Sequence, residues 1–277
     1  MTDLPKISIV TPSFNQGDYI EETIRSVIDQ GYPNLEYIVI DGGSDDSSVD
    51  IIRKHEHHIS YWESNTDRGQ SHAINKGFAR ATGEIFAWLN SDDYLLEGAL
   101  DSVADAFSQN VDVGAFVGHG AKVDRDGEIR YYKEPGELTF ESFCGWMDGG
   151  NFMQPSCFFR RSAWEAAGPL NEDIHIALDV DLWLRMSQKV RFQKIDKLLS
   201  HALIHEEAKT TAQKNLMIVD CAMVIIRAGG EEYVRHRLDE LANRLTEFEK
   251  AYERRSKMPI VRMIRPFWHW FRKRTEQ

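Results

Sequence analysis

The first hundred residues alternate between strand and helix patterns, and this alternation restricts the fold more than any other feature. Short apolar runs predict four strands, at 7–11, 35–40, 58–63 and 85–89. Between them lie stretches with apolar residues at helical spacing, such as Ile20, Ile24 and Val27. Such alternation is typical of a mainly parallel sheet with helices on both faces. The sequence therefore predicts an α/β fold.

The fourth predicted strand ends in a polar loop that carries two adjacent carboxylates. Its apolar residues are followed by Asn90, Ser91, Asp92 and Asp93. Ligands of open α/β sheets bind beyond the carboxyl ends of the strands, and carboxylate oxygens suit Mg²⁺ or Mn²⁺. Aspartate is also a favoured N-cap residue. The pair alone leaves two interpretations open, a metal site and a helix cap.

The composition narrows the class of protein. The 277 residues carry a net charge of −11 at pH 7, which argues against a nucleic-acid binder because such proteins usually have a basic excess. Cys144, Cys157 and Cys221 lie far apart, which indicates free thiols in a reducing compartment. The sequence has no signal-peptide pattern and no apolar run long enough to span a bilayer. We therefore expect a cytoplasmic protein.

Beyond residue 110 the regular alternation gives way to a different pattern. Further strands are predicted at 111–117, 157–159 and 190–195, and a helix at 179–188. Asp126-Gly127 predicts the turn of a hairpin over 123–129. Residues 206–255 have a helical pattern that breaks at Gly229-Gly230.

The end of the chain is a basic, aromatic-rich segment. Between Arg254 and Arg274 it has eight Lys and Arg residues, interleaved with apolar residues that include Trp268 and Trp270. Such a segment can lie on an anionic membrane surface, here the inner face of the cell membrane. The alternatives are packing on its own domain or on the second subunit of a homodimer.

Polar loops follow all four strands of the first half. They occupy 11–17, 41–46, 65–69 and 90–93. The carboxyl ends of parallel strands meet at one edge of a sheet, so we expect these loops to line a single crevice.

Several motifs in these loops and beyond resemble those of one enzyme family. They are Thr11–Asn15, Val39–Ser44, Asp67–Gln70, Asn75–Gly77, Trp88–Asp93 and Asp179–Arg185. In this order and spacing they resemble the inverting glycosyltransferases of family 2, over about residues 5–211. The resemblance implies the Rossmann-like GT-A fold at 1–211, with a nucleotide-sugar-binding half at 1–110 and an acceptor half at 111–211. Residues 212–277 would then be a helical C-terminal extension that ends in the basic aromatic tail.

The resemblance also implies that a nucleotide-diphospho-sugar binds in the crevice, with UDP the most frequent nucleotide in the family. The implied donor contacts are Thr11, Pro12, Ser13, Asn15, Asp41, Asp67, Arg68, Gln70, Asn90, Ser91, Asp92 and Asp93. Asp41 would accept a hydrogen bond from the base, and the alternative is that it caps the helix near 46–48. For Arg68 the alternative is an ordinary surface turn.

The family's Asp-x-Asp metal element falls on Asn90-Ser91-Asp92. This chain therefore has an amide where the family has its first acid. The resemblance makes Asp92 the ligand of Mn²⁺ or Mg²⁺ and Asp93 its helper. His205 would complete the metal shell, with Lys209 adding positive charge, and a histidine that merely begins a helix is the alternative.

Asp179 falls where the family has its general base. A sugar hydroxyl is a poor nucleophile, so a carboxylate must take its proton as the anomeric carbon opens toward an oxocarbenium-like state. A base on the face opposite the leaving group implies inversion. Gln154, Trp183 and Asp181 are candidate acceptor contacts, although a buried aromatic residue more often serves packing.

The resemblance therefore implies a metal-dependent inverting glycosyltransferase of the hexosyltransferase class. Its acceptor would be a glycan or a lipid-linked glycan, in the synthesis of a bacterial surface polysaccharide or lipopolysaccharide. The alternatives are a nucleotidyltransferase and a catalytically weak scaffold that binds sugar nucleotides. The nucleotidyltransferase has less support, because no Gly-rich, basic triphosphate loop lies near the N-terminus.

Overall fold

The computed structural model describes residues 4–205 and 214–256. The strands in these residues are β1 (Ile7–Ser13), β2 (Leu35–Asp41), β3 (Tyr61–Ser64), β4 (Ile85–Trp88), β5 (Asp93–Leu95), β6 (Val113–Val123), β7 (Ile129–Lys133), β8 (Cys157–Arg160) and β9 (Arg191–Leu203). The α-helices are α1 (Ile20–Ile28), α2 (Ser48–Lys54), α3 (Gln70–Arg80), α4 (Ala99–Gln109), α5 (Phe140–Cys144), α6 (Arg161–Ala167), α7 (Leu178–Ser187), α8 (Lys214–Arg227) and α9 (Glu231–Ser256). Short 3₁₀ turns lie at Glu56–His58, Gly145–Asp148 and Gln154–Ser156.

The strands form one mixed sheet in the order β3-β2-β1-β4-β8-β6-β9-β5, with β7 paired to β6. The strands β1, β2, β3 and β4 are parallel to one another, as predicted. On the other side of the sheet, β8, β5 and β7 run antiparallel to their neighbours, and β6 pairs in parallel with β9. The predicted α/β fold is confirmed, with a sheet that is parallel on one side and mixed on the other.

The sheet core forms because the central strands are apolar on both faces. All seven residues of β1 are buried, and β4 is buried along its whole length. From α1, Ile20, Ile24 and Val27 face this core and are fully buried. Each such side chain contributes about 1.5–3 kcal/mol when it leaves water, so the helical stripe holds α1 against the sheet.

Helix α3 lies unusually close to β1, because Gly77 has no side chain. A Cβ at this position would lie 2.4 Å from Cγ1 of Val10. The close approach holds the second half of α3 against the middle of β1.

Two strands begin or end at other residues than predicted, because a turn or pairing with a distant strand sets their limits. The third strand begins at Tyr61 rather than residue 58, because Glu56–His58 closes a 3₁₀ turn. The strand predicted at 190–195 continues to Leu203, since β6 supplies hydrogen-bond partners along its length. The hairpin with its Asp126-Gly127 turn is confirmed by the pairing of Val123 with Ile129.

The backbone divides into two compact units, one up to Gly230 and the other from Glu231 onward. The helical break predicted at Gly229-Gly230 is confirmed, since α8 ends at Arg227 and α9 begins at Glu231. The predicted boundary between 211 and 212 stays a prediction. Lys209 and the basic aromatic tail beyond 256 lie outside the described residues. In the described part of the chain, no helix has both the length and the apolar character needed to cross a membrane.

Candidate active site

The loops after β1 and β2 are joined by hydrogen bonds. The backbone N–H of Asn15 donates to Oγ of Ser44 (2.8 Å), and Oδ1 of Asn15 accepts from the N–H of Asp45 (3.1 Å). The N–H of Gly17 donates to Oδ2 of Asp46 (2.8 Å). Asn15 adopts a left-handed backbone, with φ of 52°, a conformation that Asn tolerates better than most residues. Both loops therefore form a single wall of the crevice.

Asp41 organises the turn after β2. Its buried carboxylate accepts from the N–H groups of Gly43 (3.1 Å) and Ser44 (2.9 Å). It also accepts from the hydroxyls of Ser44 (2.6 Å) and, at the end of β3, Ser64 (2.7 Å). These bonds fix the Asp-Gly-Gly turn and join the ends of two strands. The contact of Asp41 with a nucleotide base stays a prediction.

Three residues that were predicted to contact the nucleotide-sugar lie in a row at the end of β1. Thr11, Pro12 and Ser13 are all buried, and the Thr11 hydroxyl bonds the hydroxyl of Tyr37 (3.0 Å). Oγ of Ser13 is buried and has no hydrogen-bond partner in the described part of the chain. Such groups are rare in native proteins and call for an explanation, such as a missing ligand contact.

The loop after β3 contacts both the acceptor half and the β4 loop. Asp67 accepts from the N–H of Gly69 (2.7 Å), and Nε of Arg68 donates to the Glu172 carboxylate (2.9 Å). From the first residue of α3, Gln70 donates to Oδ1 of Asn90 (2.7 Å). The four loops predicted to converge are thus connected to one another in the structure.

Asn90 stands at the centre of an amide network. Its Nδ2 donates to Oδ2 of Asp93 (2.9 Å) and to Oε1 of Gln154 (3.2 Å). Gln154 in turn donates to the carbonyl of Trp88 (2.9 Å), at the end of β4. Burial, and then the neighbouring charge of Asp92, raises the pKa of Asp93 well above its usual range. An aspartate at position 90 would add another negative charge beside Asp92 and the buried Asp93, whereas the Asn90 amide adds none and donates to Asp93.

The loop after β4 also brings Asp92 to His205. Nε2 of His205 lies 2.9 Å from Oδ2 of Asp92, although the two residues are 113 positions apart. The Nδ1 atom of His205 is buried without a partner among the residues described. The ring of Tyr19 lies 4.4 Å from the imidazole, and Arg125 donates to the Tyr19 hydroxyl (2.9 Å). Ser91, between Asn90 and Asp92, is buried.

Asp179 lies in the first turn of α7. Oδ1 accepts from the N–H of Val180 (2.9 Å). Burial raises the pKa of the Asp179 carboxyl to about 6, against the lowering effect of that hydrogen bond. One turn later, Trp183 stacks on Trp88 with ring centroids 5.2 Å apart. This packing holds the start of α7 beside the end of β4, the strand that leads into the Asn90–Asp93 loop.

A family model described as glycosyl transferase family 2 matches residues 8–167. The chain belongs to glycosyl transferase family 2. The match covers more than half of the 277 residues and includes the four loops of the crevice. The predicted resemblance is confirmed.

Relatives of this family 2 chain include proteins named for polysaccharide synthesis. TuaG of Bacillus subtilis, provisionally named a teichuronic acid biosynthesis glycosyltransferase, is 32% identical over 143 residues, 50% of this chain and 56% of TuaG. A chondroitin synthase of Escherichia coli is 26% identical over 214 residues, 74% of this chain and 30% of that protein. The chain thus spans about half or less of the length of these relatives.

Solved structures share the fold at low identity. S. aureus TarS 1–349 in complex with UDP superposes with a TM-score of 0.62 and 19% identity, covering 95% of this chain and 78% of that one. The mannosyltransferase PcManGT of Pyrobaculum calidifontis, in complex with GDP-Man and Mn²⁺, has a TM-score of 0.56 and 16% identity, covering 95% and 83%. These likenesses support the GT-A architecture.

The donor set fits a divalent cation that is shared with a diphosphate. Within the described ranges, no group of three or more His, Cys, Asp or Glu residues could hold a metal ion. Asp92 and His205 supply one carboxylate and one imidazole, and Nδ1 of His205 has no hydrogen-bond partner among the residues that the structure describes. Mg²⁺ and similar ions commonly bind through one or two protein ligands plus substrate phosphates, so two donors suffice.

Two of the residues predicted to contact the acceptor substrate, Asp181 and Trp183, pack on other residues of this chain. Asp181 forms an ion pair with Arg185 (2.8 Å), whose guanidinium donates to the carbonyls of Gly168 and Pro169 (both 3.1 Å). Trp183 is fully buried. An acceptor would reach this ring only after its surroundings moved. Acceptor roles for Asp181, Trp183 and Gln154 stay predictions.

The structure adds three residues that were not predicted as part of the site. Tyr19 covers the His205 ring, Ser64 bonds Asp41, and Glu172 pairs with Arg68. Each is joined to its partner across a sequence separation that no local pattern reveals. Only Tyr19 had a local signal, as an aromatic residue in the β1 loop immediately before α1.

Proposed function

We propose that this family 2 chain is a metal-dependent inverting glycosyltransferase. It would transfer a sugar from a UDP-sugar to a glycan or lipid-linked acceptor in bacterial surface polysaccharide synthesis. The observation that carries the proposal is the meeting of polar loops at one edge of the sheet. There the loops of four parallel strands are hydrogen-bonded together, Asp92 lies against His205, and the helix bearing Asp179 packs on the strand that leads to Asp92.

The donor nucleotide would lie along the ends of β1 and β2. The buried hydroxyl of Ser13, which has no partner within 4–205 and 214–256, offers a polar contact to the nucleotide. Asp41 is buried and accepts from four protein donors, and these bonds would fix the shape of the turn beside which the base lies. We expect the nucleotide to be UDP, because the related TarS structure is a complex with UDP.

Asp92 and His205 would hold Mn²⁺ or Mg²⁺ together with the donor diphosphate. A bound cation would neutralise the charge that develops on the departing nucleoside diphosphate. The imidazole of His205 bonds the Asp92 carboxylate and keeps it oriented. The Mn²⁺ in the related mannosyltransferase supports this assignment.

Asp179 would act as general base. Its pKa near 6 leaves the carboxylate ionised at neutral pH and makes it a stronger base than a solvated aspartate. It would take the proton of the acceptor hydroxyl as that oxygen attacks the anomeric carbon and the bond to the diphosphate breaks. Attack from the face opposite the diphosphate inverts the configuration.

Binding of the donor is tested by a thermal-shift series with UDP, GDP and ADP, each with and without Mn²⁺. Specific binding raises the melting temperature with ligand concentration, and we expect the largest rise for UDP with Mn²⁺. Release of UDP from a UDP-sugar in the presence of an acceptor extract then separates the enzyme from a sugar-nucleotide-binding scaffold. Binding without turnover would favour the scaffold, and pyrophosphate release from a nucleoside triphosphate would favour a nucleotidyltransferase.

The basic aromatic tail, outside the described residues, would bring the enzyme to its acceptor at the membrane. A chain truncated after Lys257 should lose binding to anionic vesicles in co-sedimentation, because it lacks both the interfacial aromatics and the cationic residues. Binding of the full chain should weaken as salt rises, since screening reduces the cationic contribution. Neutral vesicles are the control. Equal binding of the two chains to anionic vesicles would contradict a membrane role for the tail.

A further inference from the structure

Helix α9 carries a continuous apolar seam that faces solvent. Its members lie three and four residues apart and are each between 38% and 68% exposed: Leu238, Leu241, Leu245, Phe248 and Tyr252. On an α-helix they fall within a stripe about 80° wide and about 21 Å long. Five large apolar side chains exposed in one row are unusual on a monomeric protein.

The spacing of the seam is that of a heptad repeat. Leu238, Leu245 and Tyr252 occupy one core position, and Leu241 and Phe248 occupy the other. A repeat of 3.5 residues keeps such a stripe facing a second helix along its length. The remainder of α9 is rich in charged residues, so the seam is the face of this helix suited to a partner.

The charges beside the seam indicate which partner fits. Arg237 and Arg244 precede the first core position, and Glu249 follows the second. When two copies of α9 lie parallel, Arg244 of each meets Glu249 of the other, the pairing that flanks parallel coiled coils. In an antiparallel pair the two arginine-bearing edges would face each other and repel.

We propose that the seam of α9 is the interface of a homodimer, in which two copies of this helix pair as a parallel coiled coil. The occupant is a second copy of this chain because the seam is self-complementary in register and in charge. The proposal is independent of the donor site and of the reaction.

The mass of the full chain in solution tests the pairing. By sedimentation equilibrium over a range of concentrations, wild type should reach twice the 31.9 kDa of the monomer. Leu241→Glu/Leu245→Glu should stay monomeric, since it places charge in the seam. The matched control is Asn243→Glu/Thr246→Glu, which adds the same charge elsewhere on the same helix and should dimerise as wild type does. Circular dichroism checks that both variants fold.

A charge exchange tests the parallel register. Arg244→Glu alone and Glu249→Arg alone should each weaken dimerisation by about tenfold, because each creates two like-charge pairs. The double exchange should restore it. A wild type that is monomeric at every concentration would overturn the proposal, as would seam variants that dimerise unchanged or a double exchange that fails to rescue. A chain that dimerises only after truncation at Lys257 would show that its own tail covers the seam, and would overturn it as well.

Discussion

Replacing Asp179 by Asn should lower turnover by about 10² or more at neutral pH, in line with typical contributions of a general base. Asn keeps the shape of the side chain and can still accept from the Val180 N–H, but it cannot take a proton. Donor binding should survive, because the change lies on the acceptor side of the proposed reaction. Initial rates of UDP release and the UDP-induced rise in melting temperature measure the two effects separately.

The pH dependence gives a second signature of Asp179. With a pKa near 6, the ionised base is lost as pH falls through this value, so kcat/KM of wild type should fall there. Asp179→Asn should lack this acid limb. Asp173→Asn, an exposed aspartate in the segment before α7, is the matched control and should keep both the rate and the limb.

Stability should change in the opposite direction to activity. The pKa of Asp179 is raised in the folded chain, so folding favours the protonated form and the ionised form costs stability above about pH 6. At pH 7 the Asn variant should therefore be more stable than wild type by about 1–3 kcal/mol, and the difference should vanish below about pH 4. A variant that keeps wild-type turnover would move the proton transfer to another acid, with Asp181 the next to test.

The sequence was sufficient to predict the architecture of the first half. Apolar runs such as 37–40 and 85–88 are typical of buried parallel strands, and α1, which follows β1, carries a clear apolar stripe. The polar loops then had to meet at one edge. The hydrogen bonds between Asn15 and Ser44 and between Gln70 and Asn90 join these loops, as expected from a parallel arrangement.

The side of the sheet from β8 to β5 was harder to predict, because its strands depend on distant partners. The strand β5 has only three residues and exists because β9 supplies hydrogen bonds to it. Buried and exposed residues do not alternate regularly along β9, as they do in a typical half-buried strand. The full length of β9 could therefore not be predicted from the sequence. The full burial of Trp183 against Trp88 also depends on a contact between distant segments.

The contact between Asp92 and His205 could not be predicted from the sequence. Each residue was a candidate metal ligand by resemblance, but no local pattern brings together positions that are 113 residues apart. The pairing arises because β5, which begins at Asp93, lies antiparallel to the end of β9 and the N–H of Leu203 bonds the carbonyl of Asp92 (3.3 Å). Sheet register thus places the carboxylate and the imidazole at one point of the crevice.

Replacing Asp92 by Ala should abolish measurable transfer, with a loss of about 10³-fold or more. A cation at a leaving group contributes several kcal/mol, and about 1.4 kcal/mol corresponds to a factor of ten in rate. The variant should also lose the Mn²⁺-dependent part of UDP binding, because it lacks one of the two proposed protein ligands of the metal ion. Calorimetric titration of UDP with and without Mn²⁺ measures this loss directly.

The fold of Asp92→Ala should persist, with a modest cost of about 1–3 kcal/mol for the partly unpaired imidazole of His205. Asp50→Ala is the matched control, since it removes a carboxylate that is 82% exposed on the surface of α2, and it should leave both binding and turnover unchanged. His205→Gln supplies an independent test, because it keeps a polar side chain but removes the imidazole, and it should weaken Mn²⁺-dependent UDP binding while metal-independent binding is retained. Unchanged transfer by wild type after thorough chelation would show that the reaction needs no cation, and the pairing of Asp92 with His205 would then serve only to orient the loop.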